Sequence, residues 1–248
     1  MPISSGTIKF ISSLRQKKVR QTYHKFTVEG PRMVAELLRQ QRYAVEHLYA
    51  LPEWIGGAPP TAAIPLTAVT PKELGRISQL STPHQVLAVV HFAPAAPPEN
   101  FAAGWSLYLD GIQSPSNLGA LLRIADWFGF EHVFGGPGTA DLYNSKSIQA
   151  SMGSFLRVHY EERTLEELTA DHPDLPVFGA DLDGENVYDI TPPGAGILVI
   201  GAEGSGIRAG TRVQVNRWLT IPRAPGREAE SLNAAVAAGV LCSALGRG

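Results

Sequence analysis

Gly196-Ile197-Leu198-Val199-Ile200-Gly201-Ala202-Glu203-Gly204-Ser205-Gly206-Ile207 is the stretch whose reading decides the fold. Its short apolar run, bounded by glycines, has the length and flanks of a strand buried on both faces. A second such run, Trp218-Leu219-Thr220-Ile221-Pro222, follows it. Then Glu230-Ser231-Leu232-Asn233 leads into a series of small residues, Ala234, Ala235, Ala237, Ala238 and Gly239. Ser231 reads as the N-cap of a last helix. The glycine loop is not a dinucleotide fingerprint. That motif needs G-x-G-x-x-G opening a helix in a first βαβ unit, with an acidic residue about 20 positions on. Residues 201–206 read G-x-x-G-x-G, lie late in the chain, and contain Glu203, which would repel a pyrophosphate.

Working back towards the N-terminus, the same alternation continues. Strands are expected at 106–109, 132–134, 155–160 and 177–180, with helices at 118–128, 145–152 and 165–169 between them. This is the pattern of a parallel α/β sheet with helices on both faces. Before it, residues 93–104 carry three prolines and no strand or helix period, so they read as a semi-rigid linker. Residues 1–92 alternate again. Ile8, Ile11, Leu14 and Val19 form the stripe of one basic first helix, and residues 26–31 read as a strand closed by a turn. Val34, Leu37 and Leu38 mark a second helix, and strands follow at 47–51 and 86–90. Thr70, Pro71 and Glu73 have capping-box spacing. The expected organisation is a small α/β domain over 1–92, a linker over 93–104 and a larger α/β domain over 105–248.

With 248 residues, 44% hydrophobic and 18% charged, the chain can bury an ordinary core. Its one cysteine, Cys242, excludes a disulfide framework and sits in an apolar helix, as a buried small residue would. No run approaches the ~18 apolar residues of a membrane span. Met1 to Gly6 shows no signal pattern. A soluble, cytoplasmic protein is expected. The seven histidines are scattered, which argues against a metal site, and no G-x-S-x-G elbow supports a serine hydrolase.

The net charge of −2 conceals an asymmetry. Residues 1–42 hold nine Lys or Arg against Glu29 and Glu36. Arg15, Lys17, Lys18, Arg20 and Lys25 form the densest part, an electrostatic footprint for the phosphates of a nucleic acid.

Three segments resemble, in order, the signature motifs of the SpoU/TrmH family of RNA 2′-O-ribose methyltransferases, within the SPOUT superfamily. They are Asp110-Gly111-Ile112-Gln113-Ser114-Pro115-Ser116-Asn117-Leu118-Gly119-Ala120-Leu121-Leu122-Arg123, the Gly201-Ala202-Glu203-Gly204 loop, and Ser231-Leu232-Asn233 beyond Ile221. Together they span roughly residues 105–246. Residues 1–92 resemble the ribosomal-protein-like substrate-binding domain often found N-terminal to such catalytic domains. The resemblance implies that the larger domain ends in a deep trefoil knot. It also implies S-adenosylmethionine as cofactor, tRNA or rRNA as partner, and a homodimer through the catalytic domain.

The resemblance likewise implies the site. Arg123 points away from the helix's apolar stripe and would be a surface arginine on spacing alone; it matches the family's catalytic arginine. A guanidinium can grip a phosphate beside the target ribose in bidentate fashion; normally protonated, it has no lone pair to offer, and base action is open to it only after strong desolvation. Asn117, which otherwise reads as an N-cap, and Glu203, Ser231 and Asn233 complete the catalytic set. Gly201, Ile221 and Leu232 match positions that cup the cofactor's adenine, with Ala180 and Leu182 closing the neighbouring strand. Ser151-Met152-Gly153-Ser154 matches a segment on the substrate side. One departure is that 221–231 is two residues longer than the common family spacing, which bears on substrate choice. A non-catalytic RNA-binding or ribosome-assembly factor retaining the fold is the alternative, disfavoured by the intact motif residues. Base methylation by another SPOUT enzyme is disfavoured by the motif set itself.

Overall fold

The computed structural model describes residues 3–57, 64–93 and 101–246. The chain divides into two compact units, residues 1–96 with 143–156, and residues 97–142 with 157–248. The prolines of the expected linker fall in 94–100, outside the described residues; Phe101–Ala103 form a 3-10 turn whose Phe101 is buried.

The first unit opens with α1 (Ser5–Ser13) and α2 (Lys17–Tyr23), followed by β1 (Lys25–Glu29), α3 (Pro31–Gln40) and β2 (Val45–Ala50). Then come α4 (Pro52–Ile55), β3 (Leu66–Ala68), α5 (Pro71–Ile77) and β4 (Val86–His91). The single basic helix expected at the start is therefore two. Arg20 explains the break: it is buried, and its Nη1 donates to the carbonyls of Leu14 (2.8 Å) and Arg15 (2.9 Å). Carbonyls orphaned at the end of α1 thus find a cationic donor. The capping box forms as the spacing requires, Thr70 N–H donating to Glu73 Oε2 (2.9 Å) and Glu73 N–H to Thr70 Oγ1 (3.3 Å). The sheet runs β1-β4-β2-β3, with β4 antiparallel to β1 and β2 and β3 parallel to β2. Ile8, Ile11 and Leu14 pack with Tyr49, Leu74, Ile77, Leu87 and Val89 on one face.

After the first unit come β5 (Trp105–Asp110), α6 (Pro115–Phe128), β6 (His132–Gly135), α7 (Ser145–Ser151) and β7 (His159–Glu162). Next are α8 (Leu165–Asp171), β8 (Val177–Asn186), β9 (Gly196–Gly201), α9 (Ala209–Arg212), β10 (Arg217–Thr220) and α10 (Ala234–Leu245). The six strands form a wholly parallel sheet, ordered β10-β8-β9-β5-β6-β7. β5 is buried at every position and β9 at all but its last, as strands covered on both faces must be. From β5 the sheet grows one way to β6 and β7; from β9 it continues the other way through β8 to β10. The β5/β9 junction is thus a topological switch point, where open α/β sheets hold ligands beyond the strands' carboxyl ends.

Two expectations need correction. The strand expected over 155–160 starts only at His159, and Ser154–Leu156 form a 3-10 turn. Met152 (φ 50°) and Gly153 (φ 94°) turn the chain, which sends Phe155 and Leu156 into the core instead of along an extended run. The last helix begins at Ala234 and is capped by Asn233, not Ser231. In addition, 143–156, which sequence alone assigns to the larger domain, packs with the first unit. Tyr143 stacks on Phe92 with centroids 3.9 Å apart, Phe155 meets Tyr43, and Gln149 Nε2 donates to the Glu29 carbonyl (3.0 Å).

Candidate active site

Two loops and one helix start meet beyond the carboxyl ends of β5 and β9. Ser114 caps α6, with Pro115 at the first helical position, and takes the Asn117 backbone N–H on its Oγ at 3.4 Å. Asn117 is therefore not the cap that its residue type allowed. Its side chain is free to reach across, and its Nδ2 donates to Glu203 Oε1 at 2.8 Å.

Glu203 sits on a reversal held by reciprocal backbone bonds between Ala202 and Gly206, 3.2 and 2.8 Å. Gly201 is required here: a Cβ on it would lie 2.3 Å from the Gly206 carbonyl carbon. Asn233 completes the cluster. Its Oδ1 accepts from the N–H groups of Ala235 (3.0 Å) and Val236 (3.3 Å). Capping α10 in this way fixes the orientation of the amide, so Nδ2 faces outward and donates to the same Glu203 Oε1. Three motif residues, 116 positions apart at the extremes, thus converge on one carboxylate oxygen: Asn117, Glu203 and Asn233.

A cavity of about 880 Å³ opens beside this cluster. Ala180, Leu182, Gly201, Ile221 and Leu232, the five expected cofactor residues, all line it, as do Glu203 and Ser231. Ile200, Ile207, Leu219 and Leu241 give it an apolar base. The longer segment 223–230 contributes Arg223, Ala229 and Glu230 to the rim, and Arg223 Nη1 donates to the Ala229 carbonyl (2.8 Å) across the loop.

Not every expected residue joins the cluster. Arg123 is exposed on α6 and its guanidinium has no hydrogen bond or ion pair among the described residues. It shares the exposed side of α6 with Trp127, which is 84% exposed. In the first unit, Arg15, Lys17 and Lys18 are exposed, but Arg20 is buried and committed to backbone carbonyls, so it cannot face a phosphate. Lys25 pairs with Glu46 at 2.5 Å, which leaves it less available than its neighbours.

Sequence reasoning missed two ion pairs. Asp110, fully buried at the end of β5, accepts from the Arg208 backbone N–H (2.7 Å), from its Nε (2.8 Å) and from its Nη2. This ties the far end of the Glu203 loop to the strand that leads into α6. Asp110 opens the first motif and Arg208 lies four residues beyond the second, so nearness to both was a usable signal. At the cavity wall, Arg212 bonds Asp181 (2.6 Å) and lies over Trp218 at 4.1 Å. Burial works against the Asp181 carboxylate, but the Arg212 hydrogen bond and the Leu182 and Asp183 amides outweigh it and hold its pKa below the usual value.

The SpoU rRNA Methylase family model matches residues 104–243, and the MRM3-like substrate binding domain model matches residues 6–88. The 23S rRNA (guanosine(2553)-2'-O)-methyltransferase RlmP of Bacillus subtilis is 31% identical over 240 residues, covering 94% of this chain and 93% of that one. The 23S rRNA (guanosine-2'-O-)-methyltransferase RlmB of Haemophilus influenzae is 35% identical over 139 residues, 54% of this chain and 56% of that protein. A TrmH-family structure from Porphyromonas gingivalis superposes with a TM-score of 0.89 at 35% identity, over 98% of each chain. The SpoU methyltransferase AviRb of Streptomyces viridochromogenes, in complex with AdoMet, shares the fold at a TM-score of 0.86 and 23% identity, again over 98% of each.

Proposed function

This chain belongs to the SpoU rRNA methylase family, and from that premise we propose that it transfers the methyl group of S-adenosylmethionine to a ribose 2′-oxygen of rRNA. The observation that carries the reading is the Asn117–Glu203–Asn233 cluster, whose Glu203 lines the cavity.

The cavity fits the cofactor. Its volume of about 880 Å³ lies in the roughly 300–1,000 Å³ range of small-molecule sites. Its apolar base suits an adenine ring, with backbone groups of Gly201, Ile221 and Leu232 available to the ring nitrogens. Bound there, the cofactor supplies a methyl group activated by a sulfonium. The two asparagine amides hold the Glu203 carboxylate in one position, from which its negative charge would favour a bound cation. A ribose hydroxyl ionises far above neutral pH, so it attacks well only when held in line with its developing charge stabilised. Arg123 is assigned to that task, gripping the adjacent phosphate and remaining protonated throughout. Ser231, on the cavity wall, is assigned to the same catalytic set.

The reading includes a homodimer. Arg123 and Trp127 lie on the same side of α6, and Val236 on α10, which packs against α6, is 54% exposed. Exposed apolar groups on packed neighbouring helices mark an interaction face, and a dimer closed through it would carry Arg123 into the interface. The reading also includes the family's trefoil knot, formed as residues 221–245 pass the loop at 201–207. Its support is that α10 packs on both α6 and β9 and that Leu232, Ala234 and Leu241 share the cavity with Gly201. Residues 1–92 are assigned to substrate RNA through Arg15, Lys17 and Lys18. No helix among the described residues is long and apolar enough to cross a membrane, and we place the protein in the cytoplasm with its RNA.

The test is transfer from methyl-tritiated S-adenosylmethionine to 23S rRNA, followed by alkaline digestion. Hydrolysis needs a free 2′-hydroxyl, so ribose methylation leaves labelled dinucleotides resistant to alkali. Label in mononucleotides would mean base methylation and would overturn the reaction.

A further inference from the structure

The first unit holds a second cavity, of about 350 Å³, lined by Gly6, Thr7, Phe10, Ile11, Glu46, His47, Tyr49 and Val89. Three observations single it out. β2 breaks register between Val45 and His47, and a bulge of this kind re-aims side chains; Glu46 consequently lines the cavity together with His47 and Tyr49, although strict alternation would put it on the opposite face. The rings of His47 and Tyr49 are stacked, centroids 4.4 Å apart and 21° from parallel, and His47 Nε2 is tied to Thr67 Oγ1 at 2.8 Å. Tyr49 is 7% exposed overall, and its hydroxyl, with no hydrogen-bond partner among the described residues, opens to the cavity and is not enclosed.

The rim carries a paired carboxylate beside aromatic rings. Glu46 Oε2 is held by Lys25 Nζ (2.5 Å) and His91 Nε2 (2.9 Å), which leaves Oε1 available as an acceptor. Lys25 also lies 5.6 Å from the Phe10 ring centre, and Phe10 meets the exposed Tyr23 edge-on at 5.1 Å. Burial, partly opposed by Glu46, holds His47 below the usual imidazole range, so near pH 7 it offers a ring and not a charge. Unpaired RNA bases are recognised by aromatic surfaces together with hydrogen bonds to their edges.

We propose that this cavity takes one unpaired nucleobase of the substrate RNA, with Glu46 accepting from adjacent N–H groups such as those on the guanine edge and Tyr49 supplying the phenol hydrogen bond. The site would select substrate from within the first unit. The inference rests on RNA being the substrate.

The experiment uses the full chain. GMP, with AMP as the comparison, is titrated into isotope-labelled protein, and rRNA affinity is measured by filter binding. GMP should shift amide signals of Thr7, Glu46, His47 and Tyr49, with AMP acting more weakly. Gly6→Leu should abolish the shifts, because a Cβ at Gly6 meets only Ser4 Oγ at 3.7 Å and the larger side chain is free to occupy the mouth. Loss of a stacked base should weaken rRNA binding about tenfold, with S-adenosylmethionine affinity unchanged. Tyr49→Phe, which keeps the ring, should weaken rRNA binding in the same direction and serves if Gly6→Leu fails to fold. Wild-type rRNA affinity in the variants, or GMP shifts confined to other residues, would overturn the proposal. A wild-type protein that shifts with GMP at this cavity but does not methylate 23S rRNA would instead defeat the assigned reaction.

Discussion

Asp110 and Arg208 should be unequal partners, and their inequality follows from burial. Asp110 is 0% exposed whereas the Arg208 side chain is 42% exposed. Removing Asp110 leaves a guanidinium that water can reach, so Asp110→Ala loses charge-assisted hydrogen bonds but strands no charge. With the exposure of Arg208 discounting each bond, the cost is about 1–2 kcal/mol. Arg208→Ala leaves a buried carboxylate holding only the backbone N–H of residue 208, and breaking a buried pair in that direction costs about 3–5 kcal/mol. In a chain of this size 1 kcal/mol moves Tm by about 2–4 °C. Asp110→Ala should therefore melt roughly 2–8 °C below wild type and Arg208→Ala roughly 6–20 °C below, with the order between them the firm expectation. Scanning calorimetry at pH 7, with S-adenosylmethionine absent, measures both. Equal losses, or a greater loss in Asp110→Ala, would refute the assignment of the carboxylate as the desolvated member.

Three further outcomes are expected. Arg123→Ala should lower the methyl-transfer rate about 10²-fold or more, as for loss of one preorganised electrostatic group, while S-adenosylmethionine affinity by calorimetric titration stays level; full activity would remove Arg123 from the reaction. Replacing Lys17 and Lys18 with Ala should weaken RNA binding and reduce its log–log salt slope by about 1 for each phosphate no longer neutralised, an effect absent if these side chains do not meet phosphates. Because Asp181 has its folded pKa held below the usual value, the stability it contributes is present above its unfolded pKa and is lost as pH falls through the folded one. Urea unfolding of wild type and Asp181→Asn should therefore differ at pH 7 and converge in acid, and a constant gap would contradict the Arg212 pairing.

Much of the fold and part of the candidate site are legible in residue order. Val199 and Ile200 lie in a run too short for a helix and closed by glycines, and it is a central strand. Thr70, Pro71 and Glu73 satisfy their own helix end, so spacing alone locates it. The motif residues Asn117, Glu203 and Asn233 are identifiable one by one. Their convergence is not, because it depends on β5 and β9 being neighbours, a pairing between segments some 90 residues apart that no local pattern encodes. Ser231 reads as the cap since Ser and Asn cap equally well, and only the backbone path around Leu232 distinguishes them. Arg20 looks like its basic neighbours because charge is visible in a sequence and burial of a guanidinium is not.

By itself, the sequence determined what local rules govern: the strand and helix alternation, the caps, the glycine loop and the residue types available for chemistry. Tertiary structure alone decided which of those residues meet. It put Tyr143 and Phe155 in the first unit, Asp110 beneath Arg208, and Glu46 beside Tyr49 through a bulge. The reason is physical. Propensity and periodicity act over a few residues, whereas buried aromatic packing, desolvated ion pairs and strand register are settled by groups brought together from distant positions.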